Sequence, residues 1–324
     1  MKIAVILSGA LRTIKRTMKY LKKNVLLSPD YELFICVQND TQQSEQEWTA
    51  WWQQEVGPWI RSLVWFSMDR MADWIIHRER LISHMPLEES WKAYLRNSGS
   101  MIEYAQLQLA YLELVEKEYR GGFRYDYVIR ARTDSIYAKP VDFHWLRWNE
   151  QEIDLRLERV KEELRLSHKD ESATNVLTYF MASVLSDDVL PNIERINASY
   201  QTNPAEGVIP SSAAEVQSYL HKGRYILTLR KNNLYVVRRD LFHMIPSLAT
   251  MYGQFRSPYS DNYWFNAEGQ FRDACYYSCV SVFDYTTDFE EKSLEYAHAW
   301  DEARFFDLDF NLINPQMLYC VVRR

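Results

Sequence analysis

Three short polar clusters carry residue types that do chemistry. Ser8-Gly9-Ala10-Leu11-Arg12-Thr13 joins hydroxyls, a glycine and an arginine where an apolar run gives way to a helical pattern. Gln38-Asn39-Asp40 closes a second apolar run with amides and a carboxylate, and Arg130-Ala131-Arg132-Thr133-Asp134 closes a third. Backbone N–H groups at a helix start suit a phosphate, Gly9 lets the backbone come close, and Arg12 adds a charge-assisted contact. On an extended strand Arg130, Arg132 and Asp134 share side-chain parity, so all three face one cleft. Charges on an otherwise apolar strand need a partner, either an anionic ligand or an internal ion pair. Taken together, the clusters point to a nucleoside diphosphate.

The surrounding elements must bring these clusters to one place. Lys2–Leu7 is a continuous aliphatic run of the kind buried on both faces of a parallel sheet, ended by Ser8-Gly9. Leu11 to Leu27 then reads as a helix with Leu11, Ile14, Met18 and Leu21 on one face. Tyr31–Val37 is a second strand, a Trp-rich helix follows at Ser44–Glu55, and Leu63–Phe66 is a third strand. Residues 69–120 are mostly helical; Ile102, Ala105, Leu109, Leu112 and Val115 mark one face, and Gly121-Gly122 ends the run. Tyr125–Arg132 is the next strand. This alternation predicts an α/β fold with a mostly parallel sheet, whose ligands sit beyond the carboxyl ends of the strands.

Downstream the pattern loosens. Residues 149–170 read as a solvated helix and 201–214 as a linker or flexible loop. Tyr225–Leu229 and Leu234–Val237 flank Lys231-Asn232-Asn233 as a hairpin. Asp240 is expected to cap a helix, Ser260-Asp261 to precede a helix at Tyr263–Tyr277, and Val280–Phe283 to form a late strand.

Composition narrows the function classes. With 38 basic against 44 acidic residues the net charge is −6, and no basic block offers the counterion release that duplex binding uses, so nucleic acid is not an expected partner. Nine glycines make no GxxxxGK[ST] or GxGxxG loop. No apolar run reaches the ~18 residues of a membrane span, and the start lacks a signal-peptide core, so the expected location is the cytoplasm. Cys36, Cys275, Cys279 and Cys320 form no CxxC pair and read as free thiols. The 11 tryptophans serve either as core or as platforms for sugar faces.

The layout resembles GT-A-type glycosyltransferases, in particular a group of bacterial and large-virus enzymes. Their chains open with a strand followed by SGxxR(T) and later carry (Y/D)YVIRxRxD. Here those motifs are Ser8–Thr13 and Tyr127–Asp134, and Asn266-Ala267-Glu268-Gly269-Gln270-Phe271 is similar to the acidic helix start found late in such chains. The resemblance implies a GT-A-like domain with a nucleotide-sugar half, residues 1–145, completed by an acceptor-side half, residues 146–324. It implies transfer of a sugar from a UDP or GDP donor to a hydroxyl of a glycan, lipid or protein, with inversion. Donor-binding positions are then Ser8, Gly9, Arg12, Thr13, Asn39, Asp40, Arg130, Arg132 and Asp134. Glu268, with Asp261 second, is the candidate base.

One departure bears on the metal. Such enzymes usually hold Mn2+ or Mg2+ through Asp-x-Asp, whereas Arg132-Thr133-Asp134 leaves Asp134 alone as a ligand, with Arg12, Arg130 and Arg132 to share or replace the ion's work. Asp307-Leu308-Asp309 is a literal Asp-x-Asp away from the expected place and is read as chance. His298 is the one histidine singled out as a late metal or phosphate ligand. Two alternatives remain. A sugar-phosphate nucleotidyltransferase would want more than one glycine after the first strand, and a non-catalytic carbohydrate-binding protein would use Trp48, Trp51, Trp52 and Trp59.

Overall fold

The computed structural model describes residues 1–68, 72–84, 89, 92–93, 96, 99–185, 212–229, 233–251, 267–285, 307, 309, 311, 313 and 319–321. The chain opens β1 (Ile3–Ala10), α1 (Ile14–Asn24), β2 (Glu32–Gln38), α2 (Glu45–Val56), β3 (Ile60–Trp65), α3 (Ala72–His84) and α4 (Gly99–Gly121). It continues with β4 (Tyr127–Arg132), β5 (Ser135–Tyr137), α5 (Glu150–Leu166), α6 (Ala173–Ser183), α7 (Ala213–Lys222), β6 (Tyr225–Leu229) and β7 (Leu234–Arg238). The short α8 (Arg239–Phe242) and α9 (Leu248–Met251) lead to α10 (Ala267–Tyr277), β8 (Ser281–Tyr285) and β9 (Tyr319–Val321). The fold class is α/β, a mostly parallel mixed sheet with flanking helices. No helix among the described residues is long and apolar enough to cross a membrane.

Two compact units interleave along the sequence. The first gathers residues 1–14, 28–134 and 232–278; the second gathers 15–27, 135–231 and 279–324. In the first unit the strands lie in the order β3-β2-β1-β4-β7. β3, β2, β1 and β4 are mutually parallel, and β7 runs antiparallel to β4. Ile3 to Leu7 are fully buried, as the aliphatic run predicts. The strand does not stop at Leu7: Ser8, Gly9 and Ala10 stay in register with Cys36, Val37 and Gln38 of β2. α4 packs along β1, β2 and β3.

The apolar face of α4 differs from the one the sequence predicts. Leu112 is exposed and Ile102, Leu109 and Val115 are only half-buried, while Ala105 of the expected face joins Tyr104, Leu107, Ala110, Leu114 and Glu118 in the buried stripe. Apolar residues stand on several sides of this helix, and the deciding member of the stripe is a glutamate, invisible to a hydrophobic count. Gly122, at φ +60, takes the left-handed conformation that ends the helix run. Asp240 is not a cap but lies inside α8, with Arg238 at the N-cap position donating to its carboxylate at 3.1 Å and 2.5 Å. α2 starts as expected, with a capping box between Ser44 and Glu47.

In the second unit β6 and β8 pair in parallel, and β5 and β9 pair antiparallel. The charged helix α5 is not solvated all round. It buries Ile153, Leu157, Val160 and Leu164 and packs against α6 and α7, leaving its charges outside. Both strands of the expected hairpin form, as β6 and β7, while residues 230–232 between them lie outside the described residues, as do 201–211 of the expected loop.

Candidate functional site

The chain runs from β1 outward to β2 and β3, then returns to β4 on the other side of β1. The strand order therefore reverses between β1 and β4, where open α/β sheets bind ligands beyond the strands' carboxyl ends. Ser8–Thr13 and Arg130–Asp134 meet at that point. Ser8 stands beside Arg132 in the parallel register, and the Thr133 N–H donates to Ser8 O at 3.2 Å.

Gly9 is needed here for packing. At φ +140, a Cβ on it would lie 2.3 Å from Thr133 Oγ1, the hydroxyl that donates to Ala10 O at 2.6 Å. The close approach expected for a phosphate is made by Thr133. The N–H groups after β1 are also engaged: Asp40 Oδ1 accepts from Leu11 N at 3.0 Å and from Arg12 N at 3.1 Å. The carboxylate after β2 thus occupies the N–H pair that was expected to face a phosphate. Asn39 is spent on its own turn, accepting from Thr41 and donating to Gln43 O. Ser8 Oγ and Thr13 Oγ1, both buried, have no hydrogen-bond partner among the described residues. An unmet buried hydroxyl costs ~1–3 kcal/mol, which favours a ligand that supplies the contact.

The arginines of β4 form a linked ion network. Arg130, 1% exposed, donates from Nη2 to Glu103 Oε1 at 2.6 Å. Arg132, 27% exposed at its side chain, binds both oxygens of Asp134 at 2.8 Å, and its Nη1 lies 3.7 Å from Glu103 Oε2. Burial opposes ionisation of Asp134, but the bidentate Arg132 contact and the charges of Arg130 and Arg12 outweigh it and hold its carboxyl below the usual aspartate value. Arg12 itself is exposed.

Neither a known protein family nor a curated protein matches the chain.

Glu103 was not among the residues singled out from the sequence, although two arginines on a buried strand demand acids from a neighbouring element. Tyr235 was missed as well. It stands opposite Arg130 in the β4–β7 register, with the guanidinium carbon 5.5 Å from its ring centre and the Phe271 ring 4.7 Å away. Phe271 belongs to α10, so this stack ties α10 to the arginine network. Glu268 lies in the first turn of that helix. The side chain of Glu268, all of Asp261 and His298 fall outside the described residues.

In the arrangement described, the acids gather no cation site. Both oxygens of Asp134 are committed to Arg132, and no group of three or more His, Cys, Asp or Glu among the described residues is gathered to hold an ion. The Asp307 carboxylate accepts from Asn311 N at 2.7 Å and Asn311 Nδ2 at 2.8 Å, a turn contact in the second unit. Cys36 and Cys275 lie in the core, where burial pushes the Cys36 thiol up to about 12 and that of Cys275 well above its ordinary value. The four tryptophans singled out pack against the chain itself. Trp48 and Trp52 are buried, Trp51 packs edge-on against both, and Trp59 Nε1 donates to Ser28 O at 2.9 Å.

Proposed function

We propose that this chain is a nucleotide-sugar glycosyltransferase with a GT-A-like fold, moving a sugar from a nucleoside-diphosphate donor to a glycan hydroxyl with inversion. The observation that carries the reading is the convergence of Ser8–Thr13 with Arg130–Asp134 at the reversal of strand order between β1 and β4. The leaving diphosphate is neutralised by guanidinium groups: Arg132 at the edge of the network, Arg12 exposed beside it, and Arg130 behind. Ser8 Oγ and Thr13 Oγ1 are buried donors for the donor substrate's oxygens. Glu268 takes the proton of the acceptor hydroxyl, with Asp261 as the second candidate. The stack Arg130–Tyr235–Phe271 supports this role, because it holds the helix of Glu268 beside the arginines.

The test is thermal stabilisation by UDP, GDP, the triphosphates and free sugars, followed by nucleotide release from a panel of nucleotide sugars. A shift with a nucleoside diphosphate and release in the presence of acceptor is the expected result. Stabilisation by triphosphates alone, or by free sugar alone, overturns the reading in favour of nucleotidyl transfer or of simple carbohydrate binding. For the base, Glu268→Gln should lower kcat by roughly 10²–10⁴-fold with donor affinity nearly unchanged.

A further inference from the structure

We infer that Asp134 is a displaceable counter-ion of Arg132, holding the place of a diphosphate until the donor arrives, while Glu103 keeps both β4 arginines fixed through the exchange. The inference rests on the reading of this edge as a donor-diphosphate site. Three observations carry it.

The first is the shape of the contact. Arg132 Nε and Nη2 each meet one Asp134 oxygen at 2.8 Å, the fork-to-fork geometry that a guanidinium offers equally to a carboxylate or a phosphate. The second is the inequality of the two acids. Asp134 belongs to the turn after β4, whereas Arg132 is in the strand and Glu103 is in the long helix α4. Glu103 spans both arginines, with Oε1 at 2.6 Å from Arg130 and Oε2 at 3.7 Å from Arg132. If Asp134 leaves, Arg132 remains tethered and keeps a counter-charge. The third is Ser8, which stands beside Arg132 in the parallel register and whose buried Oγ has no partner among the described residues, a hydroxyl open to an incoming oxygen.

In this closed state the four charges of Arg130, Arg132, Glu103 and Asp134 cancel, and an anion must compete with a carboxylate to enter. Removing the competitor should therefore strengthen anion binding, the opposite of what a direct contact from Asp134 to the ligand gives.

The experiment is calorimetric titration of inorganic pyrophosphate, UDP and GDP into the wild-type chain, Asp134→Asn and Arg132→Ala, with melting curves for each. Asp134→Asn is expected to bind pyrophosphate about five- to tenfold more tightly than wild type, and Arg132→Ala to lose most of the affinity. Unchanged or weaker pyrophosphate binding by Asp134→Asn overturns the inference. So does full affinity in Arg132→Ala, which decides the question alone if Asp134→Asn does not fold. The two readings separate cleanly. Tighter pyrophosphate binding without any UDP or GDP binding leaves the exchange standing and removes the donor reading. Equal UDP or GDP binding by wild type and Asp134→Asn does the reverse.

Discussion

The helix α4 meets arginines near both of its ends, Arg239 of α8 through Glu118 and the β4 arginines through Glu103, and the two contacts are built differently. At the amino end of β4, Glu118 binds Arg239 through both oxygens, at 2.8 Å and 2.6 Å. Glu118 also accepts from Tyr125 N at 3.0 Å, and the Arg239 guanidinium carbon lies 5.0 Å from the Tyr111 ring centre. Its two side chains are 6% and 9% exposed, so this pair is closed. At the carboxyl end, Glu103 is shared between two arginines, and exposure rises from 1% at Arg130 to 27% at Arg132. The same residue types are a rivet at one end and a graded, partly open network at the other. What separates them is the end of the sheet: in open α/β sheets the carboxyl edge is where ligands bind.

The sharpest way to break the comparison is to remove one partner at each end. Glu118→Ala leaves a buried guanidinium uncompensated and should cost ~3–5 kcal/mol in urea unfolding, while the folded fraction binds nucleoside diphosphate as wild type does. Arg132→Ala should show the reverse pattern. Diphosphate affinity falls by ~1.5–3 kcal/mol in calorimetry, and stability changes little, because Arg130 and Arg12 still act on Asp134. If Arg132→Ala destabilises as strongly as Glu118→Ala, the carboxyl-end network is a second rivet and the site assignment fails.

A smaller effect tests how tightly the β1 and β4 edges are joined. Gly9→Ala places a Cβ at 2.3 Å from Thr133 Oγ1 and strains a backbone at φ +140. The expected cost is about 1–2 kcal/mol of stability, with nucleotide binding weakened further because Thr133 and the adjoining Asp134 must shift. Gly9→Ala combined with Thr133→Ser, which keeps the hydroxyl and so the clash, should not recover stability. Combined with Thr133→Gly it should recover part of it.

These residues also show where sequence reading succeeds and where it stops. Aliphatic runs buried on both faces are local signals, so β1, β2 and β4 and the polar clusters at their ends are legible, and the shared parity of Arg130 and Arg132 agrees with their both reaching Glu103, a residue the sequence did not single out. Partners are not local. That Asp40 sits on the N–H groups of Leu11 and Arg12, 29 and 28 positions back, or that Thr133 fills the space at Gly9, 124 positions back, depends on distant chain brought together. The stripe on α4 follows the same rule, since the buried Glu118 meets Arg239, 121 positions on. A cluster of charges in a sequence therefore says that counter-charges exist, but not whether a ligand or the chain itself provides them.

The smallest expected effect compares a half-buried and a wholly buried aspartate, both in contact with an arginine and shifted in opposite directions. Asp134 has both oxygens bound by Arg132 and is held below the usual value. Asp273 on α10 is wholly buried, and Arg272 reaches only its Oδ1, at 2.9 Å from Nε and 2.8 Å from Nη2. Its Oδ2 has no partner among the described residues, and burial outweighs the Arg272 contact to raise its carboxyl. The signs then differ. With the folded state of Asp134 binding its proton less readily than the unfolded chain, its contribution to stability is present above the ordinary aspartate value and is lost as pH falls through its lowered one. Asp273 holds its proton more readily when folded, so stability rises as pH falls from its raised value toward the ordinary one, and levels off below it. Asp273→Asn removes this titration. Its unfolding free energy at neutral pH should differ from wild type by ~1 kcal/mol or less, with the acid-side gain abolished. Asp134→Asn should instead flatten the loss at lower pH. If wild-type stability shows no gain on mild acidification that Asp273→Asn removes, the orphan oxygen of Asp273 is satisfied in solution, and the contrast between a fully paired and a half-paired aspartate no longer holds.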